Sequence, residues 1–321
     1  MVNAWEQLAI SNRHRFDELQ KELPFNSNSP QQIVACLRNC GFKDLKSSGK
    51  EELLRYIRKY PNTEAAGLAK KQLNAKEYST RASRYGLKFL ENMVENVDGL
   101  DLVFSDWNIT GAETGRMSAS GGMHNIPIRD TKDFRKCFIA RPNHKLVVAD
   151  YAAQEARITA YLTQDKRLIE IFKQGKTPYI EIGKEIFGKD IEKGSPEYSQ
   201  MKSTFLGMDY GMSEYGLAKR ENISKAEAIE LIDGFFEILP GVKDWVENQK
   251  KLTKVTYTVS GRKAHLNYYS DQCERNALNN PHQGTAADIT KKALGYIHYQ
   301  WDENCFGKPY RDWETDRKSV V

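Results

Sequence analysis

The sequence has no apolar run that approaches the ~18 residues needed for a membrane-spanning helix. Its N-terminal segment, MVNAWEQLAISNRHRFDELQ, also lacks the apolar core of a secretory signal peptide. The five cysteines are odd in number and scattered, which argues against a disulfide scaffold and for a reducing compartment. Cys36 and Cys40 lie one helical turn apart, but no second His or Cys pair stands nearby to complete a zinc site. These absences predict a cytoplasmic protein with no membrane partner.

Neither sign of charge dominates the composition. Lys and Arg number 48 and Asp and Glu 43, so the net charge is only +5 over 321 residues. This mild excess permits a nucleic-acid or phosphate partner without requiring one. Hydrophobic residues make up 40% of the chain and charged residues 28%, which is typical of a globular protein. The length allows about two domains.

Helical patterns dominate residues 1–78. Ser29 and Pro30 form a cap and first-turn proline before a helix, and Ile33 and Leu37 share one face of it. A short amphipathic segment that ends before Pro61 predicts a second helix. A long, basic, periodic segment then starts at residue 63, and its Lys- and Arg-rich face is either an ordinary solvated surface or a surface for backbone phosphates.

The pattern changes beyond that segment. The β-rich stretches are 100–107, 145–149 and a hairpin at 255–266 that turns near Ser260 and Gly261. A helical block at 155–252 separates them, and a last helical pattern at 274–301 is predicted to break near Pro281. This order predicts an α+β fold rather than a regular βαβ alternation.

A first candidate site is the segment KLVVADYAAQEAR. Asp150 ends the strand predicted at 145–149 and precedes a helix that carries Glu155 and Arg157. A carboxylate at the rim of a sheet suits a divalent cation, because Mg²⁺ prefers carboxylate oxygens and shares its other positions with water and phosphates. The alternative is that Asp150 caps the following helix. This segment alone leaves both interpretations open.

A second candidate is one face of the helix predicted around residues 198–210. Lys202, Leu206 and Tyr210 are spaced at i, i+4 and i+8 and therefore share that face. A lysine neutralises a phosphate, and a tyrosine two turns away covers a flat base. Gly207 and Gly211 are unusual in a helix and indicate a close approach or a helix end. The alternative is an ordinary amphipathic helix with a solvated lysine.

Two further segments suggest nucleic-acid contacts. Arg275, Asn279 and Gln283 fall on one stripe if a helix runs through all three, and their side chains suit the minor-groove acceptors that every base pair shows. A polar helix surface is the alternative. The Gly- and Ser-rich stretch TGAETGRMSASGGMHNIPIR places Arg116 and Arg129 on either side of an Asn-Ile-Pro turn, and an ordinary surface loop is the alternative.

These four segments, in this order, resemble DNA polymerase family A, the bacterial polymerase I type and its phage-like branch. The resemblance rests on TGRMSASGGMHNIPIR, on VVADYAAQEAR as motif A, on KSTFLGMDYGMSEYGL as motif B and on ERNALNNPHQGTAADI as the palm helix. It implies a right-hand polymerase architecture in an α+β chain with an incomplete antiparallel-sheet palm. The implied divisions are a helical thumb at 1–78, palm at 79–165, helical fingers at 166–255 and a second palm part at 256–321.

The resemblance also implies roles for individual residues. Asp150 and the backbone carbonyl of Tyr151 would bind two Mg²⁺ ions. Glu155 would lie under the incoming sugar and exclude a 2′-hydroxyl, while Lys202 would bind the triphosphate and Tyr210 would stack near the nascent base pair. The other implied contacts are Gln154, Leu206 and Arg116 for substrate, and Asn125, Arg129, Arg275, Asn279 and Gln283 for DNA.

The implied reaction is attack of a primer 3′-hydroxyl on the α-phosphate of a dNTP, with release of pyrophosphate, by two-metal catalysis in DNA replication or repair. Its partners would be primer–template DNA and dNTPs, and the protein would be a monomer in a bacterial or phage-infected cytoplasm. One alternative is a single-subunit RNA polymerase, against which Glu155 argues. A non-catalytic primer–template DNA-binding protein is the other.

The sequence departs from the family pattern at several positions. Tyr198 and Tyr179 stand where the family usually has an Arg and often a His that contact phosphate, and Leu206 stands where bacterial members have an aromatic residue. The segment KPYRDWETDRKSVV has neither the apolar strand nor the His-Asp pair of motif C. We therefore expect a fragment truncated at its C-terminus before motif C, with little activity alone.

Overall fold

The computed structural model describes residues 2–126 and 133–299. The described residues form two compact units: the first contains 2–107, 119–126 and 133–147, and the second contains 108–118 and 148–299. Within these ranges, no helix combines the length and the apolar character that crossing a lipid bilayer requires.

The first unit begins with helices. They are α1 (Val2–Lys21), α2 (Pro30–Asn39), α3 (Lys50–Lys59), α4 (Glu64–Arg84), α5 (Leu87–Met93) and α6 (Asp133–Lys136). The side chain of Ser29 accepts a hydrogen bond from the backbone N–H of Gln32, and Pro30 occupies the first helical position, so the predicted start of α2 is confirmed. The predicted end of α3 before Pro61 is confirmed as well.

Two apolar clusters hold the first unit together. One lies among α1 to α4 and buries Ile33, Leu37 and Phe42 completely or nearly so. The other surrounds Trp5, whose ring stacks on Phe89 with centroids 4.4 Å apart. Each helix contributes one apolar stripe to these clusters, so the polar stripes face solvent.

The long periodic segment that starts at residue 63 is not one helix. It divides into α4 and α5 around Gly86, and its last residues form β1 (Val94–Val97). β1 pairs antiparallel with β2 (Leu100–Val103), with Val94 opposite Val103. Valine packs well on a pleated surface, which is why this end of the segment forms a strand. The short elements β3 (Trp107–Asn108), β4 (Ser118–Ala119) and a 3-10 helix (Ser120–Asn125) follow.

The helical block predicted at 155–252 is confirmed in the second unit. Its helices are α7 (Gln154–Thr163), α8 (Lys166–Lys173), α9 (Pro178–Phe187), α10 (Pro196–Asp209), α11 (Glu214–Glu221), α12 (Lys225–Ile238) and α13 (Pro240–Lys250). Fully buried side chains such as Met201, Phe205 and Phe235 form its core, and the rings of Phe205 and Phe235 meet edge-to-face at 5.5 Å.

The predicted hairpin is also confirmed. β5 (Val255–Tyr257) pairs antiparallel with β6 (Lys263–His265), and Thr256 stands opposite Ala264. The second unit ends its described part with α14 (Cys273–Tyr299). Helices that predominate over small antiparallel sheets confirm the predicted α+β class.

One predicted strand is absent from the structure. No strand is assigned to 145–149, where Val147 is 79% exposed and Val148 is 92% exposed. A strand needs a neighbour to satisfy its backbone N–H and C=O groups. None of the strands in the described part of the chain pairs with this segment, so its β-rich composition alone does not produce a strand.

The predicted helix break at Pro281 is wrong. α14 continues through Pro281, which is itself buried. A proline removes one helical hydrogen bond and usually kinks or ends a helix. α14 packs against α7 and α13, and these tertiary contacts explain why the helix persists through Pro281.

Candidate functional site

The centre of the candidate site, in the second unit, is the carboxylate of Glu155 in the first turn of α7. The hydroxyl of Tyr210 donates a hydrogen bond of 2.6 Å to Glu155 Oε1, and Arg116 Nη2 donates to the same oxygen at 3.1 Å. Glu155 keeps 24% of its side chain exposed. Three residues that are distant in sequence and were each predicted to contact a nucleotide therefore meet at one carboxylate.

The protonation state of Tyr210 suits its role as a donor. Burial, followed by the hydrogen bond to Glu155, raises the pKa of the Tyr210 hydroxyl, while the side chain of Gln283 acts in the opposite direction. The phenol is therefore neutral at physiological pH, and its O–H donates the hydrogen bond to the Glu155 carboxylate. Arg116 is about half exposed, so its cation faces an accessible surface.

Helix α10 presents the predicted lysine face. Ser195 caps it by accepting a hydrogen bond from the N–H of Tyr198. Lys202 is exposed, Leu206 is half-buried, and the buried side of α10 lies against the core. Lys202 Nζ lies 6.0 Å from the ring centroid of Tyr179, within the range of a cation–π contact. An exposed ammonium thus stands on the same helix face that leads to Tyr210.

The end of α10 is fixed by a close approach to α14. The helix ends at Asp209, and Gly211 takes the left-handed conformation with φ of +67°. A Cβ atom at Gly211 would lie 2.6 Å from Leu278 Cδ1. The sequence suggested a helix end or a close approach as the reason for this glycine, and the structure confirms both.

The predicted stripe on α14 exists because the helix runs through Pro281. Arg275 is exposed, and Asn279 and Gln283 are half-buried. Arg275 Nη1 donates to Gln272 Oε1 at 2.8 Å. Asn279 Oδ1 is buried and has no hydrogen-bond partner among the described residues. The stripe offers a cation and two amides along one helix.

The loop that carries Arg116 is held by Arg262. Arg262 Nη2 donates to the carbonyl oxygen of Thr114 at 2.7 Å, and Lys291 Nζ donates to the carbonyl oxygen of Gly115, also at 2.7 Å. Gly115 has φ of +81°, and a Cβ there would lie 2.8 Å from Arg262 Cζ. Sequence reasoning missed Arg262, because nothing in the hairpin sequence showed that its side chain reaches this loop.

Asp288 on α14 orients Arg262 in turn. Arg262 Nε donates to Asp288 Oδ1 at 2.9 Å, and the hydroxyl of Ser260 donates to Asp288 Oδ2 at 2.6 Å. Burial opposes ionisation of Asp288, but hydrogen bonds from Ser260, Thr258 and Arg262 outweigh it and lower the pKa of the carboxyl. An ionised Asp288 therefore pairs with Arg262 at neutral pH.

The predicted metal ligands are less organised. Asp150 and Tyr151 are exposed and lie outside any helix or strand. The described residues contain no group of three or more His, Cys, Asp or Glu side chains placed to hold a metal ion. One exposed carboxylate does not make a two-metal site, so the described residues alone do not fit the predicted pair of Mg²⁺ ions.

Three predicted contact residues remain, namely Gln154, Asn125 and Arg129. Gln154 Nε2 donates to the carbonyl oxygen of Ala286 at 3.4 Å, which ties the start of α7 to α14. Asn125 belongs to the first unit, at the end of its 3-10 helix, where its carbonyl oxygen accepts a hydrogen bond from the Tyr85 hydroxyl. Arg129 lies outside the described residues.

A buried polar cluster behind Tyr210 was not predicted. Its members are Thr159, Asp209 and His282, which are at most 1% exposed. Burial raises the pKa of Asp209 well above the ordinary carboxyl range, although a hydrogen bond from Thr159 opposes this. A signal was available in the sequence, because Asp209 continues the i, i+4 spacing of the core residues Met201 and Phe205.

His282 makes the folding stability depend on pH. Burial lowers the pKa of His282 to about 4, although its hydrogen bond to the Leu278 carbonyl opposes the shift. Below an ordinary histidine pKa, the unfolded chain binds a proton that the folded chain rejects, so acidification favours unfolding.

We expect the free energy of unfolding of the wild type, relative to His282→Gln, to fall by about 2 kcal/mol between about pH 7 and pH 5. Urea unfolding of both proteins at both pH values measures this difference. A stability difference that stays constant with pH would contradict the assignment of a buried, neutral His282.

The chain is similar to known proteins over almost its whole length. The sequence model described as "DNA polymerase family A" matches residues 4–308. A DNA polymerase I of Caldicellulosiruptor bescii is 37% identical over 209 residues, which cover 61% of this chain and 25% of the relative. A DNA polymerase I of Chloroflexus aurantiacus is 30% identical over 302 residues, covering 86% and 31% respectively. The chain thus spans a quarter to a third of the length of these two curated relatives.

A solved structure is similar as well. It is the POL domain of Pol1 from M. smegmatis in complex with DNA primer-template and dNTP, with a TM-score of 0.80 and 26% sequence identity. The alignment covers 92% of this chain and 56% of that one.

Proposed function

Because this chain belongs to DNA polymerase family A, we propose that it binds primer–template DNA and a dNTP and positions them for template-directed DNA synthesis. The observation that carries this proposal is the convergence on Glu155. Tyr210 and Arg116 both donate to its carboxylate, beside the helix that exposes Lys202. This accessible surface therefore offers a carboxylate, a phenol and two cations. These groups suit the sugar, the base and the phosphates of a nucleoside triphosphate, respectively.

In the proposed site, each of these side chains contacts a different part of the nucleotide. Lys202 neutralises triphosphate charge, since an ammonium forms charge-assisted hydrogen bonds with phosphate oxygens. Glu155 occupies the space beside C2′ of the sugar, so that an added 2′-hydroxyl meets a carboxylate that is already hydrogen-bonded. Tyr210 covers the base of the incoming nucleotide. These roles position the substrate in advance of reaction.

Helix α14 is proposed to contact the DNA. Arg275, Asn279 and Gln283 donate to the minor-groove acceptors near the primer terminus, which are common to all base pairs. Contacts to common acceptors test the shape of a pair without reading its sequence. Asn125 and Arg129 are proposed to hold template or primer backbone.

DNA polymerases of this family use divalent metal ions. We propose that Asp150, with the carbonyl of Tyr151, is the part of the two-Mg²⁺ site that lies within the described residues, and that other ligands are needed to complete it. Bound metal ions would neutralise phosphate charge and activate the primer hydroxyl. The proposed roles of the described side chains in binding and positioning do not depend on how the metal site is completed.

We also propose the thumb, palm and finger divisions, a monomeric state, a cytoplasmic location and a low activity of this chain alone.

The single-subunit RNA polymerase alternative is disfavoured by Glu155. A ribonucleotide-using site needs room for a 2′-hydroxyl, and this carboxylate is fixed in place by two donors.

Equilibrium binding tests the proposal. A fluorescent primer–template with a dideoxy-terminated primer is titrated with the chain, with and without the dNTP that matches the template base. We expect affinity to fall steeply between about 50 and 200 mM salt, because phosphate contacts release counterions. We also expect the matched dNTP, and none of the other three, to tighten the complex.

Two results would reject the proposal. One is affinity for primer–template that is independent of salt, and the other is a complex that responds equally to all four dNTPs. Binding that responds to salt but ignores every dNTP would favour the non-catalytic DNA-binding alternative. Little extension of an unblocked primer in Mg²⁺ is expected in either case.

A further inference from the structure

A second, fully buried polar layer lies directly behind the residues of the proposed nucleotide site. Thr159 is one helical turn after Glu155 on α7. Asp209 immediately precedes Tyr210 at the end of α10, and His282 immediately precedes Gln283 on α14. The three helices that carry the exposed residues therefore meet again one layer deeper, and the Gly211 contact with α14 brings two of them close together.

The Thr159 hydroxyl links two of these helices. Thr159 Oγ1 lies 2.8 Å from Asp209 Oδ2 and 3.0 Å from the carbonyl oxygen of Glu155. A threonine hydroxyl has one proton, so it is shared between these two acceptors. Asp209 Oδ2 thereby has a donor, and Asp209 Oδ1 does not.

The tautomer of His282 follows from its backbone contact. His282 Nδ1 lies 2.9 Å from the carbonyl oxygen of Leu278, and a carbonyl only accepts, so Nδ1 carries a proton. Nε2 of the neutral ring is then a bare acceptor. The ring of Trp245 meets the imidazole edge-to-face with centroids 4.8 Å apart, so the ring is packed against an aromatic neighbour.

Two unsatisfied atoms face each other across this layer. Asp209 Oδ1 and His282 Nε2 lie 3.7 Å apart, and neither has a hydrogen-bond partner in the described part of the chain. Buried polar groups without partners are rare because each costs about 1–3 kcal/mol. One proton placed between these two atoms, with a shift of less than about 1 Å, satisfies both.

The state of charge decides where that proton belongs. An ion pair would place two charges among fully buried side chains. The Glu155 carboxylate raises the pKa of Asp209 further, and its opposing effect on His282 is smaller than that of burial. Burial favours the uncharged carboxyl and the uncharged imidazole alike. A carboxylic acid that donates to a neutral ring fits both preferences.

We propose that the protonated carboxyl of Asp209 donates a hydrogen bond from Oδ1 to His282 Nε2, and that this buried pair, with Thr159, positions Tyr210 against Glu155 and Gln283 beside Tyr210. These are positioning residues, since none of them reaches the accessible surface. What the positioned residues do rests on the proposed function, but the positioning itself requires no nucleotide.

Histidine NMR tests the proton first. The protein is labelled with ¹⁵N-histidine, and the signal of His282 among the six histidines is assigned by its loss in His282→Gln. We expect a neutral ring with a proton on Nδ1 and an unprotonated Nε2, unchanged from neutral pH down to about pH 5.5. A ring that titrates near an ordinary histidine pKa, or that carries its proton on Nε2, would overturn the pair.

Tyrosine NMR then tests the positioning. With ¹³Cζ-tyrosine, the Tyr210 signal is assigned by Tyr210→Phe and compared in two variants of Asp209. Asp209→Asn is the matched control, because its amide N–H donates to His282 and its amide oxygen accepts from Thr159. We expect this variant to keep the wild-type Tyr210 signal. Asp209→Leu has similar bulk and no polar atoms, and we expect its Tyr210 signal to lose the distinct shift and move towards that of a solvent-exposed tyrosine.

The outcomes separate this inference from the polymerase proposal, because no nucleotide or DNA is present. An unchanged Tyr210 signal in Asp209→Leu overturns the positioning role even if the protein binds dNTPs. Loss of the signal in Asp209→Asn as well as in Asp209→Leu overturns the neutral pair in favour of an ionic one. If Asp209→Leu does not fold, Thr159→Val is used instead, because it removes only one hydroxyl. A Tyr210 signal identical to wild type in Thr159→Val would contradict the proposed positioning of Tyr210 by the buried polar cluster.

Discussion

Replacement of Lys202 by alanine is expected to weaken binding of the matched dNTP to the primer–template complex about 10- to 100-fold. The exposed ammonium stands on the face of α10 that leads to Tyr210. Hydrogen bonds to charged groups contribute about 1.5–3 kcal/mol, which corresponds to this range of affinity. The contact with Tyr179 orients the side chain across an aromatic ring, so the loss includes a preorganised cation.

The measurement is the dissociation constant of the matched dNTP in the ternary complex, from fluorescence of the labelled primer–template. Lys193→Ala is the matched control, because Lys193 is also exposed and precedes the same helix. We expect it to leave the dNTP affinity within about 2-fold of wild type. An equal loss in both variants would show that general positive charge, rather than Lys202, binds the nucleotide. Lys202→Arg is expected to restore most of the affinity, since it keeps the cation.

Replacement of Glu155 by alanine is expected to reduce discrimination against ribonucleotides by roughly 100-fold. The wild-type carboxylate is fixed by Tyr210 and Arg116, so it does not move aside for a 2′-hydroxyl. Alanine opens that space. The readout is the ratio of dissociation constants for a matched ribonucleotide and its deoxy counterpart in the ternary complex, which requires no catalytic turnover.

Glu155→Gln separates bulk from charge. Glutamine keeps the volume of the side chain, so discrimination that persists in this variant and vanishes in Glu155→Ala identifies a steric role. A ratio that is the same in wild type and Glu155→Ala would remove Glu155 from the sugar site. Such a result would revive the RNA polymerase alternative, against which this residue is the main argument.

Local signals in the sequence predicted local structure well. The cap at Ser29, the stop before Pro61 and the hairpin turn at Ser260 and Gly261 all depend on backbone preferences of a few adjacent residues. The shared face of Lys202, Leu206 and Tyr210 similarly follows from helical periodicity alone. These features need no information about distant parts of the chain.

The failures depend on tertiary context. Residues 145–149 have strand composition, but β structure requires a pairing partner, and composition does not supply one. Pro281 usually ends a helix, and packing against α7 and α13 overrides that tendency. In both cases the local preference was real and distant contacts, or their absence in the described part of the chain, decided the outcome.

In the candidate site, too, the sequence identified individual residues but not the tertiary contacts between them. The identity of Glu155, Tyr210 and Arg116 came from sequence motifs, but their meeting at one oxygen required the fold. Asp209 and His282 are 73 positions apart in sequence numbering (282 − 209) and carry no signal of pairing. An acidic residue type in an apolar helical stripe was the one available hint, and it indicates burial without identifying a partner.

A crystal structure of the chain with a dideoxy-terminated primer–template and the matched dNTP is the decisive test of whether Lys202 and Glu155 bind the incoming nucleotide. We expect a triphosphate oxygen within hydrogen-bond distance of Lys202 Nζ and the C2′ edge of the sugar against Glu155. A dNTP bound on another surface, with Lys202 and Glu155 both remote from it, would contradict the proposed nucleotide site.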